Sequence, residues 1–341
     1  HFIDPSIAMF DDYRAAKHRL ETATIAKQDY MKTTQPTDQA FFLQRAQHLF
    51  NRLGNPERNI QTLHIAGTSG KGSTSTMLYT VLCESGKTVG LYTSPYVQTP
   101  IENISVNGQL MDPGAFVRLV DSTLLIVEQI ATEDPEMKPS YAEVFFSIAV
   151  QYMRECDVGY FVLETGCGGR FDYSNIAMNV VASVITPIGI DHTDILGDTI
   201  EQIAWHKAGI IKKQIPVFTN NTNPIIQNVI AAEATAQEAP LHIVTSASAQ
   251  PYTTRMAGAH QQQNAELVAA VCHFLQIADE PIARGIATTQ LPARMEILHL
   301  HWIRRLPSDV RLGHDRRRRD GVCNGFGGAG VTGRRICPAI W

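Results

Sequence analysis

The 341-residue sequence lacks several features that would assign a class of protein at once. It has no apolar run close to the roughly 20 residues of a membrane span and no signal-peptide pattern, so we expect no membrane partner. Two explanations of its cysteines stay open, namely reduced thiols of a cytoplasmic protein and a zinc or disulfide framework. The first is favoured, because no CxxC pair or regular spacing occurs among Cys83, Cys156, Cys167, Cys272, Cys323 and Cys337.

The chain as a whole has little excess of either positive or negative charge, because its formal net charge is −4. Nothing global therefore predicts binding to nucleic acid or to a membrane surface. Residues 301–341 differ, because they carry nine Arg, no Lys and three Asp, a net charge of +6. Residues 1–300 therefore have a net charge of −10. The mild total thus combines an acidic body with a basic tail.

Apolar patterning in most of the chain alternates between short strand-like runs and helical periods. The predicted strands are apolar or β-branched and bounded by Gly, Pro or Asn: Thr62–Ala66, Thr88–Tyr92, Val158–Glu164, Val180–Thr186 and Pro216–Thr219. The predicted helices are Asp38–Leu53, Ser73–Ser85, Pro113–Ala131, Tyr141–Cys156, Thr199–Gly209 and Gln261–Leu275. This alternation predicts an α/β fold, a mostly parallel sheet flanked by helices, and it ends near Pro292.

A Gly-rich turn, His64–Ser73, links the first predicted strand to the next helix. Glycines let backbone N–H groups turn towards phosphate oxygens, and the helix N-terminus adds positive potential. Lys71 can reach terminal phosphates, and Ser73 or Thr74 can serve Mg²⁺. The turn departs from GxxxxGK[ST], because Ile65 replaces the first Gly and an extra Gly precedes Ser73. The pattern favours a nucleotide-binding P-loop over a plain Gly-rich turn.

Three further side chains are candidates for chemistry. Glu164 ends a predicted strand, where a carboxylate suits a Mg²⁺ ion that bridges ATP phosphates; a surface carboxylate is the less favoured alternative. His192 follows the next strand and is either a structural histidine or a metal ligand. Lys207 lies on a helix with apolar neighbours, where it is either solvated or partly buried and prone to lose its charge.

Six stretches, taken in order along the chain, together resemble one family. They are HIAGTSGKGS (64–73), GLYTSPYV (90–97), ETGCGGRFDYSN (164–175), ITPIGIDHTDILGDTIEQIAWHKAGIIK (185–212), GAHQQQNAEL (258–267) and LPARMEIL (291–298). The resemblance is to the folylpolyglutamate synthase/dihydrofolate synthase branch of the Mur ligases. It covers most of residues 45–298.

The resemblance implies which residues bind nucleotide and substrate. The family's ATP phosphate loop corresponds to Gly67, Thr68, Ser69, Gly70, Lys71, Gly72 and Ser73. Asn264 matches a nucleotide-contacting Asn, and Arg294 matches the Arg of a Pro-x-Arg element near the phosphates. The loop around Tyr92–Glu102 is similar to one that helps bind a pterin, although Asn103 stands where the family usually has Arg.

The resemblance also implies two Mg²⁺ ions and a two-step reaction. Ser94 and Glu164 match ligands of one ion, His192 matches a ligand of the second, and Lys207 matches a lysine that the family carbamylates. The expected catalytic residues are Lys71, Glu164, His192 and Lys207. ATP would phosphorylate a carboxylate of a reduced folate or dihydropteroate, and the amine of L-glutamate would then attack the acyl phosphate. A cytoplasmic monomer with small-molecule partners and no nucleic acid is expected.

The C-terminal part departs from the family. The expected domains are an ATP-binding Mur-ligase-like domain, 1–295, and an aberrant basic tail, 296–341, in place of a Rossmann-like domain that opens with Asp-Gly-Ala-His-Asn. A shifted reading frame or truncation is favoured over a basic arm for RNA or an acidic partner, since the tail has no interleaved aromatics. An ATP-binding chain without ligase activity is therefore the alternative function. A cell-wall ligase is disfavoured by the phosphate-loop sequence.

Overall fold

An eight-stranded sheet organises the described part of the computed structural model, which covers residues 5–24, 36–177, 179–245 and 252–291. Its strands are β1 (Gln61–Ala66), β2 (Val89–Tyr92), β3 (Ile104–Val106), β4 (Gln109–Leu110), β5 (Tyr160–Glu164), β6 (Val180–Ile185), β7 (Val217–Thr219) and β8 (Leu241–Ile243). The order across the sheet is β4-β3-β2-β5-β1-β6-β7-β8. All neighbours pair in parallel except at β3 and β4, which form an antiparallel edge. The predicted α/β class with a mostly parallel sheet is confirmed.

Helices cover both faces of this sheet. Those described are α1 (Pro5–Ala23), α2 (Pro36–Arg52), α3 (Lys71–Glu84), α4 (Pro113–Glu133), α5 (Tyr141–Glu155), α6 (Thr193–Leu196), α7 (Ile200–Ala208), α8 (Pro224–Ala236), α9 (His260–Phe274) and α10 (Asp279–Thr288). Short 3-10 helices span Pro100–Asn103, Pro135–Met137 and Tyr173–Ile176. Every predicted helix and strand is present with its ends shifted by at most two residues. The prediction omitted α1, α6, α8, α10, β3, β4 and β8.

Local sequence explains where several helices begin. Asp112 precedes Pro113 and accepts a hydrogen bond from the Ala115 N–H, which caps the first turn of α4. Ser140 and Glu143 form a reciprocal capping box at the start of α5. Asn223 caps α8 by accepting from the Ile225 N–H. Each cap satisfies a backbone donor that the helix itself leaves unpaired.

The strands are buried because the two faces of the sheet carry separate apolar layers. On one face α3, α9 and α10 pack against β1 residues such as Leu63 and Ile65. On the other face α1, α2, α4 and α5 form a layer that includes Phe116 and Phe146. A strand buried on both sides is usually a largely apolar run, and β5 and β6 show this pattern. β1 is buried as well, although its sequence includes the polar residues Thr62 and His64.

Helix α10 packs closely against α3. A Cβ added at Gly285 would lie 2.6 Å from the Val81 Cα, so only glycine allows this approach. Arg284 Nε lies 2.5 Å from Glu84 Oε2 at the same crossing. The end of the described chain thus packs on the helix that follows the Gly-rich turn.

Some predictions concern residues outside the described ranges. The described residues belong to one compact unit that ends at Leu291, so the predicted limits 1–295 and 296–341 remain predictions. Arg294 and the basic tail also lie outside the described residues. The cysteines within the described ranges, Cys83, Cys156, Cys167 and Cys272, are free thiols. None of the described helices is long and apolar enough to cross a membrane.

Candidate active site at the carboxyl ends of β1, β5 and β6

The strand order changes direction at the carboxyl end of β1. From β1 the chain crosses to β2 on one side of the sheet, and later strands place β5 and β6 on either side of β1. Ligands bind at such a point in open α/β sheets, because the loops that leave neighbouring strands diverge there. The segments that begin at Gly67, Thr165 and Thr186 all leave the sheet at this edge.

The phosphate loop ends in a helix N-terminus that faces α9. Gly70 adopts a left-handed conformation (φ 84°) immediately before α3 begins at Lys71. A Cβ at Gly70 would lie 2.8 Å from Asn264 Oδ1, so the amide of Asn264 packs directly on the loop. Gln261 Nε2 donates to Ser73 Oγ (3.3 Å), and Asn264 Nδ2 donates to Gln261 Oε1 (3.0 Å). The structure therefore brings the predicted nucleotide-contacting Asn264 to the predicted loop.

Two lysines converge on one carbonyl of this loop. Lys71 Nζ donates to the Gly67 carbonyl oxygen at 3.1 Å, and Lys207 Nζ donates to the same oxygen at 2.8 Å. Lys207 is only 2% exposed, and its burial, followed by repulsion from Lys71, lowers its pKa to about 8. In the described part of the chain neither lysine forms an ion pair. The loop thus carries positive charge suited to an anionic ligand.

Glu164 lies between Ser94 and the phosphate loop. Glu164 is buried, and its Oε2 accepts a hydrogen bond from the Ser94 N–H at 3.3 Å. The same oxygen lies 3.7 Å from where a Cβ at Gly72 would be. Ser94 and Glu164, predicted to share a metal ion, are therefore adjacent.

The oxygen donors around the loop fit Mg²⁺. Thr74 Oγ1 and Thr165 Oγ1 are buried hydroxyls for which the described residues supply no hydrogen-bond partner. Mg²⁺ prefers hard oxygen ligands and usually takes one or two carboxylates together with phosphate oxygens. Within the described ranges no three His, Cys, Asp or Glu side chains group into an all-protein metal site. Glu164 with nearby hydroxyls is thus a donor set of the kind that Mg²⁺ shares with a nucleotide.

His192 occupies a more open position than the other candidates. It adopts a left-handed conformation (φ 48°) immediately before α6, and its side chain is 50% exposed. Its Nε2 lies 3.7 Å from Asp191 Oδ1. Asp191 in turn contributes to the field at Lys207, where it favours the charged form. The contacts of the described residues thus connect His192 to Asp191 rather than to Glu164.

Comparison with known protein families shows to which family the chain belongs. Residues 65–278 match the Mur ligase middle domain. The chain belongs to the Mur ligase family. The matched range begins in β1, so it includes the phosphate loop, Glu164, His192, Lys207 and Asn264.

Individual proteins of known function and structure are also similar to this Mur ligase. The dihydrofolate synthase/folylpolyglutamate synthase of Bacillus subtilis (strain 168) is 38% identical over 289 residues, covering 76% of this chain and 66% of that protein. The ADP complex of Mycobacterium tuberculosis folylpolyglutamate synthase has a TM-score of 0.73 at 27% identity, covering 85% and 68% of the two chains. A folylpolyglutamate synthase complex with AMPPCP and folate has a TM-score of 0.75 at 27% identity, covering 84% and 74%. The predicted resemblance is therefore confirmed, and the chain spans about two thirds of the Bacillus relative's length.

The loop that resembles the pterin-binding loop of the family is closed by one carboxylate. Glu102 accepts hydrogen bonds from the backbone N–H groups of Val97 (2.9 Å), Gln98 (3.1 Å) and Thr99 (2.9 Å). Asn103 is buried and its carbonyl accepts from the Thr93 N–H at 3.0 Å. This Mur ligase therefore holds both ends of the loop through main-chain contacts.

Asp172, a buried carboxylate in the site, was not among the predicted site residues. Asp172 Oδ2 accepts from the Cys167 N–H at 2.9 Å, and Oδ1 accepts from the Ser174 N–H at 3.0 Å and from the Ser174 hydroxyl. Ser174 Oγ also contacts His64 Nε2 at 2.9 Å. Burial raises the pKa of Asp172 and lowers that of His64 to about 3. Asp172 holds the turn after Glu164, a role that its place in ETGCGGRFDYSN did not indicate.

Proposed function

We propose that this chain is an ATP-dependent ligase that joins L-glutamate to the γ-carboxyl of a reduced folate, with dihydropteroate as a second acceptor. The observation that carries the proposal is the convergence of Lys71 and Lys207 on the Gly67 carbonyl, in a loop whose Gly72 lies next to Glu164. The relatives support the substrate class, since they are folylpolyglutamate or dihydrofolate synthases and one solved complex contains AMPPCP and folate.

The chain's own residues would bind ATP and stabilise the transfer of its terminal phosphoryl group. The first N–H groups of α3 lack helical partners and point towards the loop's ligand, while Lys71 supplies positive charge. An oxygen of the folate γ-carboxylate would attack the γ-phosphorus as the bond to the ADP oxygen breaks. The amine of glutamate, having lost a proton, would then attack the acyl carbon and release phosphate, forming the amide.

Ser94 and Glu164 would hold one Mg²⁺ ion and His192 a second. When bound there, Mg²⁺ offsets the negative charge of the transferring phosphoryl group. Lys207 would be carbamylated: its neutral amine adds to CO₂, forms an N–C bond and releases a proton. The low pKa and burial of Lys207 support this step, because a neutral amine is the reactive form.

We further propose that the chain acts as a cytoplasmic monomer whose partners are small molecules and not nucleic acid. These expectations follow from the resemblance to the family. Sedimentation of the purified chain at several concentrations tests the monomeric state, and a mass that rises with concentration would contradict it.

The test of the main proposal supplies each acceptor separately. The purified chain is incubated with ATP, Mg²⁺ and labelled glutamate, together with either tetrahydrofolate or dihydropteroate. Labelled product with tetrahydrofolate is expected, and product with only dihydropteroate would reassign the acceptor. ATP binding without product would favour the alternative of an ATP-binding chain that lacks ligase activity. Absence of both would reject nucleotide chemistry at this site.

A substitution at Glu164 tests the metal assignment. Glu164→Gln keeps the size of the side chain and removes the charge, so we expect turnover to fall by about 100-fold or more. The side-chain oxygen of Gln can still accept the hydrogen bond from the Ser94 N–H, so the midpoint of urea unfolding should change far less than turnover. Glu201→Gln, on the exposed side of α7, is the matched control and should keep full activity. Unchanged amide formation in Glu164→Gln would remove Glu164 from the metal site.

A further inference from the structure

Asn221, which no motif singled out, lies buried just after β7. Its side chain is 4% exposed and makes contacts on both sides of Pro187. Oδ1 accepts from the Ile188 N–H at 2.9 Å, and Nδ2 donates to the Thr186 carbonyl at 3.0 Å. One amide thus fixes the peptide groups before and after a single residue of the loop that follows β6.

Pro187, between those two contacts, supports the phosphate loop. Its carbonyl oxygen accepts from the backbone N–H groups of Thr68 (3.0 Å) and Ser69 (3.1 Å). Thr68 Oγ1 also donates to the Gly189 carbonyl at 3.1 Å. Two consecutive peptides of the phosphate loop therefore take their orientation from residues 186–189.

Asn221 is itself held in place by its surroundings. Nδ2 donates to Thr219 Oγ1 at 2.8 Å, and Thr219 Oγ1 donates to the Ile185 carbonyl at 2.8 Å. Gln227 Nε2 donates to the Asn221 carbonyl at 2.7 Å. Hydrogen bonds in a buried network reinforce one another, so this network fixes the side-chain amide of Asn221 in one orientation.

We infer that Asn221 is a positioning residue for the nucleotide phosphates, acting through Pro187 on the Thr68 and Ser69 peptides. With those two N–H groups turned to Pro187, the N–H groups that open α3 are left to face a phosphate. A phosphate loop binds through the directions of its N–H groups, so a small rotation of these peptides weakens binding. The inference rests on the proposed function, in which the nucleotide phosphates bind at Gly67–Ser73.

The first test measures ADP affinity by calorimetry for the unsubstituted chain, Asn221→Ala and Asn221→Asp. Asn221→Ala removes both contacts around Pro187, whereas Asn221→Asp keeps the acceptor for Ile188 and loses the donor to Thr186. We expect ADP to bind about tenfold more weakly to both variants. Equal affinity in all three proteins would overturn the inference.

The matched control is Asn223→Ala, two residues away. Asn223 caps α8, and among the described residues it makes no hydrogen bond with residues 186–189, so its loss weakens the same loop without disturbing Pro187. Its ADP affinity should equal that of the unsubstituted chain. A loss as large as that of Asn221→Ala would assign the effect to general loosening of the loop and overturn the inference.

The second test needs no nucleotide. Hydrogen exchange of the Thr68 and Ser69 amides should be about tenfold faster in the Asn221 variants, while the amides within β1 keep their protection. Unchanged exchange at Thr68 and Ser69 in folded Asn221→Asp would reject the contact chain directly. If the unsubstituted chain binds no ADP, the proposed function fails, and the exchange result still decides whether Asn221 holds the loop.

Discussion

Buried charge is handled in opposite ways in two regions of this molecule. Between α2 and α5, Arg45 and Glu143 are 5% and 0% exposed, and the guanidinium Nε lies 2.9 Å from the carboxylate. At the phosphate loop, Lys207 is equally buried, but its described partner is the Gly67 carbonyl, which it shares with Lys71. In the helical layer a buried cation faces a carboxylate, whereas at the phosphate loop two lysines share one carbonyl oxygen.

The two regions show the difference between a buried charge that stabilises the fold and a buried charge that is available to a ligand. A buried ion costs several kcal/mol unless an opposite charge and hydrogen bonds compensate it. Glu143 receives that compensation from Arg45 and from the Ser140 N–H at 2.6 Å. A carbonyl supplies only a partial negative charge, so Lys207 keeps a depressed pKa of about 8. An anion at the loop would supply what Lys207 lacks.

The largest expected effect comes from breaking the internal pair. Arg45→Met leaves the Glu143 carboxylate buried without its cation, so we expect the free energy of unfolding to fall by about 3–5 kcal/mol. Urea unfolding followed by circular dichroism measures the change. The double variant Arg45→Met/Glu143→Leu should recover part of the loss, because neither charge is then buried. A loss below about 1 kcal/mol in the single variant would show that the pair is not structural.

The same kind of substitution at Lys207 should have the opposite sign. Lys207→Met removes a cation that the folded chain buries at a cost, so we expect the free energy of unfolding at pH 7 to rise by about 1–3 kcal/mol. In CO₂-free buffer, where Lys207 keeps its amine, ADP affinity should fall in the same variant, because positive charge leaves the site. A destabilised Lys207→Met would mean that the hydrogen bond to Gly67 outweighs the cost of burial.

The gain in Lys207→Met should also depend on pH. Below pH 8 the lysine is charged in both the folded and the unfolded chain, and the full cost of burial is present. Between about pH 8 and 10.5 only the unfolded chain keeps the proton, so the unsubstituted protein gains stability as pH rises. The advantage of the variant should therefore shrink across this range in CO₂-free buffer. An advantage that stays constant up to pH 10.5 would contradict the depressed pKa.

The smallest effect is expected where charges are paired in solvent. Arg118 and Glu155 are 59% and 40% exposed, with Nη2 and Oε2 2.8 Å apart. Water already stabilises both ions, so Arg118→Gln should change the free energy of unfolding by less than about 1 kcal/mol. Thermal unfolding at low and high salt measures it. A loss comparable with that of Arg45→Met would mean that burial does not decide the worth of an ion pair here.

The fold was predictable where a single segment carried its own signal. Strands β5 and β6 are largely apolar runs, and α5 begins at a capping box. The short strands β3, β4 and β8 have two or three residues each, which is too few to display a period. Helix α10 contains Gly285, a residue that weakens helices, and its contact with Val81 on α3 requires that glycine.

The sequence singled out candidate residues one by one, and their roles stay predictions, but it did not indicate how they are arranged. Lys71, Glu164 and Asn264 follow from a turn, a strand end and a family motif. The convergence on Gly67 depends on a contact between residues 140 positions apart, and no spacing in the sequence encodes it. Asn221 gave no signal, because it is one of three Asn in the segment 220–223, whose composition is typical of an ordinary turn.

The crossing of α3 and α10 sets an order of events during synthesis. Glu84 and Arg284, which meet there, are 200 residues apart in the chain. At about 5–20 residues per second, the ribosome needs roughly 10–40 s to make that interval. Throughout it the surface of α3 around Val81 remains without its final partner. The nascent chain therefore carries an apolar strip until α10 emerges, and contacts of such long range also slow folding after release.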